Sequence, residues 1–289
     1  MGPTKETNIF IVDMNQIIIA NFMVQVGKFA NMDIDENLFR HMVVNSIRAM
    51  HRKYASTYGE MVLAFDGPES WRKEVFPYYK ASRKSGRAKS DINWTQIFKL
   101  IDVMRQELTE FFPYPVIWLK GCEADDIIGT LVRHKEGERI LILSADKDFI
   151  QLQNQLFVEQ YDPINNRQLT TPDPERYLKE HIIRGDTGDG IPNTLTQGDI
   201  FLIQGKRSKS ITVAILEDII NRGKDALDET QKLYYDRNEK LINLEHTPAE
   251  LKQNIIEAYE AGRGKNRSKL LDYFINKGMK NLIELVNDF

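Results

Sequence analysis

The chain has 289 residues, of which 42% are apolar and 28% are charged, a composition typical of a globular protein of about two domains. No stretch reaches the roughly 18 apolar residues of a membrane-spanning helix, and Asp13 interrupts the first apolar stretch, which excludes a secretory signal. The single cysteine, Cys122, excludes an internal disulfide framework. We therefore expect a soluble, cytoplasmic protein with no membrane partner.

Four short apolar runs in the first half of the chain predict buried β-strands. They lie at residues 8–12, 61–65, 115–119 and 139–143. Between the second and third runs, apolar residues from Trp94 to Phe111 recur every three or four positions, the pattern of an amphipathic helix. Strands that alternate with helices predict an α/β fold, with a mostly parallel central sheet and helices on both of its faces.

The second half of the chain has a different pattern, with helical periodicity and no clear strand. Its predicted helices lie at residues 174–184, 211–222, 232–243, 248–261 and 268–288. We therefore predict an α/β domain over residues 1–171 and a smaller helical subdomain over residues 172–289.

Basic residues are concentrated in three segments, although the net charge of the chain is only −3. Residues 71–89 hold seven basic residues and one acidic residue, residues 262–280 hold six and one, and a smaller group lies at 206–209. Such segments are either ordinary solvated faces or the surface that binds a polyanion. Within the first segment, Ser85 and Gly86 favour a mobile loop over residues 80–89.

Acidic residues follow the predicted strands. Asp13, Asp66 and Asp146 each come directly after a strand, and the carboxyl ends of parallel strands meet at one edge of a sheet. Other acids are grouped nearby or in a glycine-rich turn, namely Glu123, Asp125, Asp126, Asp148, Asp186 and Asp189. Taken singly, each is also explained as a helix cap or a turn residue.

Together, these carboxylates indicate a metal site. Two carboxylates about 4 Å apart repel each other by roughly 4 kcal/mol at an effective dielectric constant of about 20, so several cannot share a cleft without cations. No cysteine and histidine set has zinc spacing, and oxygen ligands favour Mg²⁺ or Mn²⁺. An acidic, metal-loaded pocket in an otherwise basic protein indicates phosphodiester chemistry on nucleic acid.

Six segments of the sequence resemble, in order, the motifs of the phage and bacterial 5′-nucleases related to flap endonucleases. The segments are IVDMN, LAFDGPES, WRKEVFPYYKASRK, CEADDIIG, ILSADKDFIQL and GDTGDGIPN. This resemblance covers nearly the whole chain. It implies a PIN-like α/β core and a helical, DNA-binding C-terminal region with a modified helix-hairpin-helix near residues 185–222.

The resemblance also implies two or more Mg²⁺ ions, for which Mn²⁺ can substitute. The first ion would be held by four strand-end and helix-start acids, with two more alongside: Asp13, Asp66, Asp125 and Asp146, then Glu123 and Asp126. The second ion would be held, partly through water, by Asp148, Asp186 and Asp189.

A basic arch near residues 72–93 would, by the same resemblance, cover the scissile phosphate. Its implied catalytic residues are Lys80, Arg83, Arg72 and Tyr79. Nucleic-acid contacts would come from the rest of the arch and from the later basic group: Lys84, Arg87, Lys89, Lys206, Arg207 and Lys209. The turn at 185–190 departs from the family pattern, because Gly190 replaces an Asn and no Gly-x-Gly hairpin follows it, so side-chain charge would replace the usual backbone grip on the duplex.

The activity implied is that of a metal-dependent 5′→3′ exonuclease and flap endonuclease. Its substrates would be DNA duplexes, RNA·DNA hybrids and 5′ flaps, its products would carry 5′-phosphates, and its role would be the removal of RNA primers in phage DNA replication, in the host cytoplasm. We expect a monomer. The sequence leaves open whether a single-strand-binding protein or a sliding clamp is a partner, and which of the two cleavage modes dominates.

Two other classes of protein share part of this pattern. A haloacid-dehalogenase-type phosphohydrolase also has an Asp after its first strand, but it needs Asp-x-Asp there, and Asp13 is followed by Met14 and Asn15. A non-catalytic nucleic-acid-binding module would gain nothing from clustered like charges, which are costly to bury.

Overall fold

The computed structural model describes residues 8–26, 34–203 and 205–289. Its centre is a six-stranded sheet in the order β3-β2-β1-β4-β5-β6, in which only the pairing of β5 with β6 is antiparallel. The strands are β1 (Ile9–Asp13), β2 (Glu60–Ala64), β3 (Val116–Ile117), β4 (Ile140–Leu143), β5 (Val158–Asp162) and β6 (Arg167–Leu169). The prediction of a mostly parallel α/β sheet is confirmed.

Helices surround this sheet and form most of the second half of the chain. In chain order they are α1 (Met14–Val26), α2 (Glu36–Tyr58), α3 (Arg72–Val75), α4 (Ala81–Ala88), α5 (Trp94–Phe111), α6 (Ala124–His134), α7 (Pro174–Arg184), α8 (Val213–Arg222), α9 (Glu229–Ile242), α10 (Ala249–Gly262), α11 (Leu270–Asn276) and α12 (Lys280–Ile283). Short 3₁₀ helices cover Lys147–Asn154 and Ile200–Leu202. Among the described residues, no helix is both long and apolar enough to cross a membrane.

The central strand is buried on both faces. Phe10 and Val12 pack with α1, α2, α5 and α11, whereas Ile9 and Ile11 pack with α6 and α10. Alternate side chains point to opposite faces of a strand, so a continuous apolar run is what a strand covered on both sides requires. The last helices thus pack on the α/β sheet, and Phe289 is buried in the same core as Phe10.

Several elements differ from the sequence prediction. Strands β5 and β6 were not predicted, because polar residues such as Glu159 and Gln160 interrupt the apolar pattern of β5. The predicted helix at 268–288 is divided where Gly278 adopts φ +66°, a conformation that ends a helix. The segment expected to be a mobile loop contains α4, since Ala, Arg and Lys are good helix formers that outweigh Gly86.

Candidate active site

Parallel pairing brings three predicted acids to one edge of the sheet. In the register of the sheet, Val12 of β1 lies beside Leu63 of β2 and Leu143 of β4, so the residues that follow these strands emerge together. Asp13 ends β1, and Asp66 and Asp146 follow β2 and β4 within three residues.

Each of these acids is oriented by a nearby donor. The Asp13 carboxylate accepts hydrogen bonds from the Gln16 N–H at 3.1 Å and the Ser144 hydroxyl at 3.2 Å. Asp66 accepts from the Ala124 N–H at 2.9 Å, at the start of α6. Burial, and then the neighbouring Asp66, raise the pKa of Asp13 to about 7.

Four further acids complete a single cavity of about 380 Å³, which we call the acidic cleft. The acids that line it are Asp13, Asp66, Asp125, Asp146, Asp148, Asp186 and Asp189. Burial raises the pKa values of Asp125 and Asp148 well above their ordinary range, and the charge of Asp146 raises both further. The cleft therefore contains more carboxylate charge than its three basic side chains can neutralise.

The turn at residues 185–190 places Asp186 and Asp189 in the cleft. Gly185 has φ +68°, and a Cβ there would lie 2.4 Å from the Ile191 carbonyl oxygen, so only glycine fits. The Asp186 carboxylate accepts hydrogen bonds from the N–H groups of Gly188 at 2.7 Å and Asp189 at 3.2 Å. This local bonding is the usual reason for an Asp in a turn, and here it also fixes the direction of the carboxylate.

Glu123 lies beside the cleft rather than among its seven acids. It precedes α6, and its carboxylate accepts hydrogen bonds from Lys80 Nζ at 2.5 Å, the Tyr79 hydroxyl at 2.8 Å and Arg72 Nη1 at 3.1 Å. Burial alone would raise the pKa of Glu123, but Lys80 and Arg72 lower it to about 2. Glu123 is therefore ionised and bound to protein donors.

Asp126 is fully buried and lies away from the acidic cleft. Its oxygens accept hydrogen bonds from Trp71 Nε1 at 3.1 Å, Thr247 Oγ1 at 2.9 Å, Arg72 Nη1 at 2.9 Å and the Glu123 N–H at 2.9 Å. Asp126 was expected alongside the first metal ion, and in the structure these four donors occupy its carboxylate oxygens.

Arg72 and Tyr79 lie beneath the site. Arg72 is 2% exposed and also donates to the Leu241 carbonyl at 2.9 Å. The Tyr79 hydroxyl lies 2.8 Å from Glu123 and 2.9 Å from Asp189, and neither Arg72 nor Tyr79 lines a cavity at the sheet edge. In this structure the two residues contact the acids Glu123, Asp126 and Asp189, and the catalytic role expected of them stays a prediction.

Lys80 and Arg83 stand at the rim of the acidic cleft. Arg83 donates to the Asp189 carboxylate and to the Gly188 carbonyl, the latter at 3.3 Å. Burial alone would lower the pKa of Lys80, but Glu123 and Asp189 raise it, so its ammonium group stays charged. Both side chains line the cleft.

The remaining predicted nucleic-acid contacts fall at two places. Arg87 lines the acidic cleft from α4, and Lys89 is exposed at the end of that helix, whereas the side chain of Lys84 lies outside the described part of the chain. Residues Lys206, Arg207 and Lys209 are exposed in the segment that leads to α8, and none of them lines the cleft.

His181 is a site residue that the sequence analysis missed. It belongs to the last turn of α7, with Nδ1 3.3 Å from Asp148 and Nε2 3.9 Å from Asp186. These three side chains form a group compact enough to hold a metal ion. Burial lowers the pKa of His181, against the opposing effect of Asp186. In the sequence, His181 is marked only by its position one helical turn before the GDxxD turn.

A sheet edge lined by seven carboxylates and three cations is typical of α/β enzymes that act on phosphate esters. Residues 8–181 match the family model described as the 5′-3′ exonuclease N-terminal resolvase-like domain, and residues 173–289 match that of the T4 RNase H C-terminal domain. The chain belongs to this 5′-3′ exonuclease family and is a nuclease. The family resemblance inferred from the sequence is confirmed, which sets aside the phosphohydrolase and the non-catalytic module.

Individual relatives agree with this assignment. Ribonuclease H of Enterobacteria phage T4 is 29% identical over 294 residues, covering 97% of this chain and 95% of the relative. The 5′-3′ exonuclease of Buchnera aphidicola (strain Sg) is 27% identical, covering 66% of this chain and 67% of the relative.

Two solved structures share the fold. The T5 D15 protein co-crystallised with metal ions has a TM-score of 0.62 at 18% identity, over 88% of this chain and 98% of the other. The T5 5′-exonuclease with bound zinc has a TM-score of 0.55 at 21% identity, over 96% and 99%.

Proposed function

We propose that this protein is a divalent-metal-dependent 5′→3′ exonuclease and flap endonuclease. Its substrates are DNA duplexes, RNA·DNA hybrids and 5′ flaps, and it removes RNA primers during phage DNA replication in the host cytoplasm. The observation that carries this proposal is the convergence of seven carboxylates in one cleft with Lys80 and Arg83 at its rim. The phage T4 ribonuclease H and the metal-bound T5 proteins support it.

The donor set of the cleft fits hard divalent cations. Carboxylate oxygens are the ligands that Mg²⁺ and Mn²⁺ prefer, and the raised pKa values of Asp125 and Asp148 mark negative charge that a cation would neutralise. A first Mg²⁺ would be held by Asp13, Asp66, Asp125 and Asp146. A second would be held by Asp148, Asp186 and Asp189, with His181 alongside.

The chain's own residues bind and orient the phosphate. Ions held there would supply a hydroxide nucleophile and would neutralise the negative charge of the reaction. Lys80 and Arg83 donate hydrogen bonds to the non-bridging oxygens, where charge grows as the bond breaks. Arg72 and Tyr79 act as positioning residues, because they hold Glu123, which in turn holds Lys80.

Cleavage of labelled nicked, gapped and flapped duplexes, compared with and without Mg²⁺ or Mn²⁺, tests the proposal. We expect products with 5′-phosphates, and losses above about 100-fold for Asp13→Asn and Asp146→Asn, since even groups that only orient metal ligands contribute about 10–100-fold. Asp186→Asn should lose less and recover more at high Mg²⁺. Metal-independent cleavage, or near-normal rates in both Asp13→Asn and Asp146→Asn, would contradict the proposal.

A further inference from the structure

A second cavity, of about 650 Å³, adjoins the acidic cleft. We propose that this cavity, which we call the aromatic cavity, binds the unpaired base on the 5′ side of the scissile phosphate, with Trp118 as its stacking platform. This inference rests on the proposed nuclease function and adds a binding site to it.

The two cavities lie on either side of the same side chains. They share six lining residues, which are Asn15, Asp66, Lys80, Arg83, Arg87 and Phe98. A phosphate held at the rim by Lys80 and Arg83 therefore has its neighbouring nucleotide within reach of the aromatic cavity. Its volume lies within the range of about 300–1,000 Å³ that encloses small-molecule ligands, enough for a base and its sugar.

Trp118 is a partly exposed tryptophan that lines the cavity. It directly follows β3, lines the aromatic cavity and keeps 38% of its surface exposed. The Arg105 guanidinium lies 4.2 Å from its ring centroid and covers one ring face. The cation fixes the orientation of the Trp118 ring. An exposed aromatic ring in a fixed orientation beside a phosphate site can stack on an unpaired base.

The charges of the cavity favour a nucleotide over an uncharged ligand. Among the described residues, Lys73 and Arg87 line the cavity and form no salt bridge. Three of its four acids, Glu69, Asp102 and Glu123, are paired with cations, and the fourth, Asp66, is a proposed metal ligand. Arg87 also lies 4.7 Å over the Phe98 ring. Cations interleaved with aromatic rings are the usual composition of a site for single-stranded nucleic acid.

The test is a double-mutant cycle between Trp118 and one base. The substrate is a 5′-flap duplex that carries either a normal nucleotide or an abasic site at the first flap position. Dissociation constants are measured by anisotropy with Mg²⁺ in an Asp13→Asn background, and single-turnover cleavage is measured in the wild-type background. Trp118→Ala and the abasic site should each weaken binding about tenfold, the effect of one stacked base, and together they should do no more than either alone.

Two control variants separate stacking from folding. Trp118→Phe keeps an aromatic face and should bind within about twofold to threefold of wild type. Phe157→Ala removes another exposed aromatic ring, 56% exposed just before β5 and outside both cavities, and should change nothing. Multiplicative losses from Trp118→Ala and the abasic site, or equal losses in Trp118→Phe and Trp118→Ala, would overturn the inference. Absence of cleavage in the wild-type protein would instead contradict the nuclease function, while the binding cycle would still decide the role of Trp118.

Discussion

Lys80 is bound to Asp189 through both its main chain and its side chain. The Lys80 N–H donates to the Asp189 carbonyl at 2.7 Å, and Lys80 Nζ lies 3.6 Å from the Asp189 carboxylate. Lys80 also has φ +56°, in the left-handed region that non-glycine residues rarely adopt. The contact therefore joins the start of α4 to the acidic turn that follows α7, and holds the ammonium group at the rim of the cleft.

Lys80→Met should lower kcat by about 100- to 1,000-fold with little change in DNA affinity, since its charge acts mainly where charge develops in the transition state. Methionine keeps the length of the stem and the backbone conformation. The measurement is a single-turnover titration, with Lys179→Met on the exposed surface of α7 as the control. A main effect on Kd would show that Lys80 instead binds ground-state phosphate.

Arg72→Met should destabilise the fold by about 3–5 kcal/mol, because it leaves Asp126 buried without a cation and Glu123 with Lys80 alone. Urea denaturation measures this loss of unfolding free energy. Adding Asp126→Asn to Arg72→Met should recover part of it by removing the unpaired charge. A loss below about 1 kcal/mol in the single variant would mean that other donors satisfy both carboxylates.

In EDTA, the stability of the protein should fall as the pH rises from about 4 to 7. The pKa of Asp13 is raised from 3.8 to about 7 in the folded protein, so folding favours its protonated form, and this stabilisation is lost progressively between the two pKa values. Thermal unfolding at several pH values should show a smaller fall for Asp13→Asn, and Mg²⁺ should reverse the fall in the wild type. A melting temperature that is constant or rises over this range would contradict the expectation.

Arg207→Ala should weaken DNA binding regardless of base sequence and reduce the slope of log K against log salt by up to about 1, as expected for one lost phosphate contact. Single-turnover cleavage at saturating enzyme should be largely kept, because Arg207 is exposed and does not line the acidic cleft. Binding is measured between about 50 and 200 mM salt. Loss of cleavage at saturation would place Arg207 in the catalytic machinery.

The sequence by itself was enough to predict the parallel sheet and the position of its acids. Apolar runs such as 8–12 are buried on both faces in any parallel sheet, and the acid after each strand must emerge at the shared edge. Asp13, Asp66 and Asp146 follow from this rule alone. Strand β5 could not be predicted in this way, because Gln160 is buried through hydrogen bonds to the Ser144 and Asp146 carbonyls and not through apolar contact.

Only the tertiary structure decided which charged side chains line the acidic cleft and which form ion pairs with each other. Asp125 and Asp126 are adjacent in sequence, but successive helical residues point about 100° apart, so Asp125 enters the cleft while Asp126 binds Arg72. The sequence around Trp118 does not indicate its role, because Arg105 and the cavity residues that surround it are distant in the chain. His181 is marked only by its position one helical turn before the GDxxD turn, and its partner Asp148 is likewise distant. Electrostatic and stacking roles depend on distances between residues that are far apart in the chain. The sequence pattern indicates only which residues are neighbours along one strand or one helix.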